Sequence, residues 1–217
     1  MQGKIRLPRL DLLTPTLDST LLKIIEEAGE LARAVLIFIE FQDQAKTANM
    51  DNSKLRDVAA ELLDVAQTCV TMIFVLEEHY AINPGEMIDA HLRKLLAKGY
   101  LFNPEAEYYI ETNGHYKYLN LPRLDIPQVG LLKTVCKIQE EIGELTQILG
   151  KRSGKSGEKI ANPSEKAVLL KECALELLDI AQCCFTMLYI LEDRYQILIE
   201  DILQHHLEKL SNKGYCT

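Results

Sequence analysis

The chain has 217 residues, 47% of them hydrophobic and 26% charged, and carries 32 acidic against 24 basic side chains for a net charge of -8. Such a balance excludes a nucleic acid or an anionic membrane held by charge alone, and the composition is that of an ordinary globular protein. No apolar run is expected to reach the ~20 residues of a spanning helix. Met1 to Pro8 shows no apolar signal-peptide core, so the expected location is the cytoplasm with no membrane partner.

From Leu17 to Phe41 the apolar residues Leu21, Ile24, Ala28, Leu31 and Val35 keep a helical period, with Asp18 or Ser19 placed to cap the start. A polar stretch from Gln42 to Asn52 follows. Ser53 is then positioned to cap a second long helix through Leu55, Val58, Leu62, Val65, Cys69, Met72 and Leu76 to about Tyr80. Asn83-Pro84 pairs a capping residue with proline at the first helical position, opening a third helix that Gly99 stops. Between residues 103 and 120, aromatic and β-branched residues flank Asn113-Gly114, the signal of a type I′ β-hairpin.

The second half repeats this grammar: one helix from Val129 to Leu149 ended by Gly150, one from Pro163 to Tyr195, and one ending before Gly214. The repetition is textual as well as periodic. Leu7-Pro8-Arg9-Leu10-Asp11 returns as Leu121-Pro122-Arg123-Leu124-Asp125 at an offset of 114. Leu63-Asp64-Val65-Ala66-Gln67 returns as Leu178-Asp179-Ile180-Ala181-Gln182 at an offset of 115. The expected architecture is therefore all-α, with one repeat over 1–102, a linker with a small hairpin over 103–120, and a second repeat over 121–217. The segment from Gly150 to Lys159 is expected to be a basic, solvated Gly/Ser loop. The six cysteines show no CxxC spacing and read as reduced thiols.

The chemistry lies in the acidic residues. Glu26-Glu27-Ala28-Gly29-Glu30 recurs as Glu140-Glu141-Ile142-Gly143-Glu144, and Glu61-Leu62-Leu63-Asp64 as Glu176-Leu177-Leu178-Asp179. Residues three or four apart share a helix face, so Glu27 with Glu30 and Glu61 with Asp64 each project one way, and antiparallel packing brings the pairs together. Two unit charges ~4 Å apart repel by about 4 kcal/mol at an effective dielectric near ~20. Protonation, a basic partner or a divalent cation must offset this. A solvated helix face is the bland reading of one such motif. Duplication of all the acids, the apolar flanks of Glu61 and Asp64, and two glycines inside helices argue for a metal site. Gly29 and Gly143 each cost ~1 kcal/mol relative to alanine, which suggests close approach of another segment or a ligand. Oxygen ligands without histidine or thiolate suit a hard ion, Mg²⁺ with Mn²⁺ as a substitute. A di-iron bundle expects Glu-x-x-His, and here Asp64 and Asp179 stand in those places.

EExxE followed on the next helix by ExxD resembles the signature of the MazG-like, all-α nucleoside triphosphate pyrophosphohydrolase superfamily, in both halves of the chain. The resemblance implies a tandem-repeat member folded as an intrachain pseudo-dimer, with Mg²⁺ held by Glu27, Glu30, Glu61 and Asp64 in one copy and by Glu141, Glu144, Glu176 and Asp179 in the other. Glu26 and Glu140 would be auxiliary ligands or orient water. Where the family carries a Lys with a later Arg, this chain has Lys94 with Lys98 and Lys209 with Lys213, candidates to bind the outer phosphates. The implied reaction cleaves a nucleoside triphosphate to monophosphate and pyrophosphate, as in the removal of non-canonical nucleotides. The implied assembly is a homo-oligomer, a dimer of pseudo-dimers. The competing function is a nucleotide- and metal-binding regulatory module without efficient turnover. His91 and His206 also repeat, and are read as capping or packing residues rather than catalytic ones.

Overall fold

The computed structural model describes residues 5–10, 14–44, 52–103, 110–113, 116–126, 128–155, 157 and 162–215. Among them the chain forms six helices and three short strands: β1 (Leu7–Pro8), α1 (Leu17–Gln44), α2 (Ser53–Tyr80), α3 (Pro84–Ala97), β2 (Ile110–Asn113), β3 (Tyr116–Leu119), α4 (Leu131–Ser153), α5 (Pro163–Tyr195) and α6 (Ile199–Asn212). The fold is all-α, as the periodicity predicts.

Local chemistry sets the helix limits, and in places corrects the expected ones. Thr16, rather than Asp18 or Ser19, caps α1. Its Oγ1 accepts from the Ser19 amide at 3.1 Å while Ser19 Oγ accepts from the Thr16 amide at 2.9 Å, a reciprocal capping box. Asn52, not Ser53, sits at the N-cap of α2 without a side-chain cap bond. Its amide instead donates to the Tyr195 carbonyl at 3.2 Å, tying the first half to the end of α5. Asn83 caps α3 as expected, accepting from the amides of Gly85 and Glu86. Asn162 and Glu165 form a full capping box on α5. Gly150 does not end α4: the helix runs to Ser153 and stops at Gly154, which takes the left-handed conformation at φ 72°. Residues 150–153 of the expected loop are therefore helical. Lys155 beyond them reaches Asp18 at 2.9 Å, and the rest of that loop, save Gly157, lies outside the described residues.

Asn113 pairs with Tyr116 and Ile110 with Leu119, so β2 and β3 form the hairpin expected between the repeats. The two residues that join them, Gly114 and His115, lie outside the described residues. The hairpin is extended by a strand the sequence did not announce, since β1 pairs antiparallel with β3 through Leu7 and Leu119. Edge pairing of β1 anchors the start of the first repeat to the connection between repeats.

The core runs along α2 and α5, each with 17 buried residues, which pack on one another and carry α1 and α4 on their outer faces. Contrary to the expectation of no sufficiently long apolar run, both contain an 18-residue window apolar enough to cross a membrane; 83% of each window is buried inside the bundle. Each buried aliphatic side chain contributes roughly 1.5–3 kcal/mol over exposure. Burial on all sides is why their hydrophobic pattern is continuous rather than one-faced.

The third helices exchange. After α2 the chain turns at Ala81 (φ 54°) and after α5 at the equivalent Gln196 (φ 56°), with Ile82 and Ile197 tucked into the core behind them. These turns send α3 mainly onto α5 and α6 mainly onto α2. Among the helices, α1 on α2 is thereby matched by α4 on α5, and α3 on α5 by α6 on α2, whereas the contacts of β1 have no counterpart among the described residues of the second half.

Candidate metal centre

Antiparallel α1 and α2 bring Glu27, Glu30 and Glu61 together, and α4 and α5 do the same for Glu141, Glu144 and Glu176; within each trio one carboxylate oxygen per residue lies within 4.8 Å of the others. Glu27 and Glu141 are buried, Glu61 and Glu176 half-buried, Glu30 and Glu144 exposed. Each trio therefore opens to solvent on one side. Burial pushes the Glu61 carboxyl up to about 7, and the charges of Asp64, Glu30 and Glu27 push the same way. Burial likewise raises Glu176 to about 8, and the hydrogen bond that its protonated form donates to Glu141 adds to it.

Asp64 and Asp179 stand beside the trios rather than within them. Asp64 accepts from Lys209 Nζ at 2.6 Å and lies 3.3 Å from His206 Nδ1. Asp179 pairs with Lys94 and lies 3.0 Å from His91 Nδ1. Burial alone would raise both aspartates; the histidine and lysine contacts outweigh it and hold them below the usual carboxylate range. All four partners come from the third helix of the opposite half. The candidate phosphate-binding lysines thus sit at a site, but not at the site of their own repeat.

Behind each histidine lies a buried glutamine. His91 Nε2 faces Gln182 Oε1 at 3.4 Å, and Gln182 Nε2 donates to the Pro122 carbonyl at 2.8 Å. His206 faces Gln67 at 3.5 Å, and Gln67 Nε2 donates to the Pro8 carbonyl at 2.8 Å. This explains why Leu-Pro and Ala-Gln recur together: proline offers only a carbonyl and the glutamine amide takes it. The histidines are packing residues, as expected, and they also orient the aspartates.

Two lysines escaped the sequence reading. Lys23 Nζ lies 2.7 Å from Glu27 and 3.0 Å from Glu26; Lys137 lies 2.5 Å from Glu141 and 3.1 Å from Glu140. Lysine four residues before a motif glutamate was the available signal. Glu26 and Glu140 are exposed, bound to these lysines, and not among the clustered oxygens. The glycines also depart from expectation. A Cβ at Gly29 or Gly143 would meet nothing within 4 Å, so no described segment demands glycine there.

Do the trios suit a cation? Glu61 Oε2 and Glu176 Oε2 are buried without a hydrogen-bond partner. A buried carboxylate oxygen without a donor is costly, and at the equivalent position of both copies it sits beside two further carboxylates. Such a cluster of oxygen donors could hold a metal ion, and its chemistry fits a hard one.

Beside each trio lies a cleft. The first, about 420 Å³, is bounded by Glu27 and Asp64 and closed by Lys209, Lys213 and Tyr215 of the other half. The second, about 590 Å³, is bounded by Glu141 and Asp179 and closed by Lys98 and Tyr100. Tyr80 and Tyr195 line neither cleft: Arg152 lies 4.8 Å over the Tyr80 ring, and Tyr195 packs edge-on against Phe38. Comparison of the chain with protein-family models, curated proteins and solved structures returns no match.

Proposed function

We propose that the protein is a divalent-metal-dependent nucleoside triphosphate pyrophosphohydrolase of the MazG-like type with two composite sites. The observation that carries the reading is the pair of glutamate trios, each with a partnerless buried oxygen and each beside a cleft closed by lysines of the other half. The reciprocal exchange of α3 and α6 supports reading the chain as an intrachain pseudo-dimer.

Glu27, Glu30 and Glu61 would hold Mg²⁺ in the first site and Glu141, Glu144 and Glu176 in the second, with Asp64 and Asp179 as the further ligands the family pattern adds. A divalent ion held there would supply positive charge and an activated water at neutral pH. The chain's own part is geometric and electrostatic. Lys213 and Lys98, at the cleft mouths, offer ammonium groups to the outer phosphates as point charges. Lys209 and Lys94, with the histidines behind them, hold each aspartate ionised and fixed in direction. Lys23 and Lys137 offset part of the trio's repulsion in the absence of an ion.

The test is pyrophosphate release from a panel of standard and modified nucleoside triphosphates with Mg²⁺. Release that disappears on chelation and on replacing Glu61 and Glu176 together is the expected result. Mg²⁺-dependent nucleotide binding without release from any substrate would overturn it in favour of a regulatory binding module.

A further inference from the structure

One lysine in each half stands where a bound ion and a bound nucleotide would both meet it. Lys23 Nζ lies 2.7 Å from Glu27 and 3.0 Å from Glu26, and Lys137 Nζ lies 2.5 Å from Glu141 and 3.1 Å from Glu140. The same two side chains line the clefts, Lys23 the first and Lys137 the second. Their partners differ in kind. Glu27 and Glu141 are buried members of the trios, whereas Glu26 and Glu140 are exposed and lie outside them.

Helix stabilisation does not account for this placement. In an i, i+4 ion pair the favourable order puts glutamate before lysine, and here the lysine comes first in both copies. The charge of the trio does account for it, because an ammonium group on Glu27 or Glu141 offsets the repulsion among three carboxylates. A divalent ion on the same carboxylate would take over that task and repel the ammonium. The lysine side chains are 47% and 43% exposed, and their flexible stems let the charged ends turn away. The cleft they already line receives them, with Glu26 or Glu140 holding them at its edge.

We propose that Lys23 and Lys137 are exchangeable counter-ions: each neutralises its trio until a divalent ion binds, and the ion then displaces it toward the phosphates of a nucleotide in the cleft. Binding is therefore ordered, the ion freeing a cation for the nucleotide that follows. The proposal rests on the metal- and nucleotide-binding part of the reading above and does not require turnover.

The test compares the full chain with a variant carrying both Lys23→Met and Lys137→Met. Mn²⁺ affinity is measured by electron paramagnetic resonance without nucleotide. Calorimetry at saturating Mn²⁺ gives the affinity for α,β-methylene analogues of pyrimidine and purine nucleoside triphosphates, which cannot be hydrolysed at that bond. The expected shifts are opposed: Mn²⁺ binds about tenfold more tightly because its competitor is gone, and the analogues bind about tenfold more weakly because a charged partner is gone. Tighter Mn²⁺ binding also reports that the variant is folded. Tighter Mn²⁺ binding with unchanged analogue affinity makes the lysines fixed counter-ions and overturns the exchange, as does Mn²⁺ affinity that stays the same or falls. Opposed shifts with no pyrophosphate released from any nucleoside triphosphate uphold the exchange and overturn only the hydrolase reading.

Discussion

In the first site Lys209 reaches Asp64 with 48% of its side chain still exposed, and His206 stands 3.3 Å from the same carboxylate; in the second, Lys94 is 32% exposed and His91 stands at 3.0 Å from Asp179. The half-buried acid of each trio is raised in both sites, Glu61 to about 7 and Glu176, which also hydrogen-bonds Glu141, to about 8. Identical motifs therefore sit in unequal surroundings. The motif decides which carboxylates meet, and the helix donated by the opposite half helps decide how far from water they are held.

The largest effect that can break this comparison is loss of one site at a time. Glu61→Gln and Glu176→Gln should each remove one site's share of pyrophosphate release, and the double variant should retain less than about a hundredth of the wild-type rate. Bound Mn²⁺, counted by electron paramagnetic resonance, should fall in step. Next is the crossing of the halves. Lys94→Met should cost nothing further in a Glu176→Gln background but lower kcat/KM about tenfold in a Glu61→Gln background, because it serves Asp179 alone. The reverse pattern would mean that each lysine serves its own repeat.

Removing a buried histidine comes next in size. His91→Ala strands Gln182 and Asp179, and should lower unfolding free energy by about 2 kcal/mol. His206→Ala should cost the same within error in urea denaturation if the two frames are equivalent.

Acidity separates the sites more finely. A glutamate raised from 4.5 to about 7 or 8 binds its proton more tightly when folded, so the contribution of that proton to stability is lost as pH rises through the folded value. Without divalent cation, Tm should decline between pH 5 and 8, and saturating Mg²⁺ should flatten the decline. Mn²⁺ affinity should level off near pH 7 in Glu176→Gln, where the first site remains, and nearer pH 8 in Glu61→Gln. The smallest effect concerns the helix glycines. Gly29→Ala and Gly143→Ala fill open space and should each stabilise the protein by about 0.5–1 kcal/mol. Destabilisation at one glycine only would reveal a contact peculiar to that half.

Helix limits were legible wherever a residue's own neighbours set them, as at Asn83-Pro84 or from Pro163 to Tyr195. They failed by a few residues where alternatives compete locally: Thr16 against Ser19 as a cap, Gly154 against Gly150 as a stop. The strand β1 gave no signal because a dipeptide such as Leu7-Pro8 is too short to show alternation. Gln67 and Gln182 stood in plain view inside a repeated block, but a repeat records that a residue matters without saying to what.

By itself the sequence determined the duplication, the all-α class and the two carboxylate pairs per copy, because helical periodicity is a property of the local backbone and fixes which side chains share a face. Tertiary structure alone decided that α3 and α6 cross over, that Lys94 and His91 serve Asp179 while Lys209 and His206 serve Asp64, and that the two clefts differ in volume. Those outcomes depend on which of two nearly equivalent apolar helices each third helix packs against, and no residue carries that choice in its own neighbourhood.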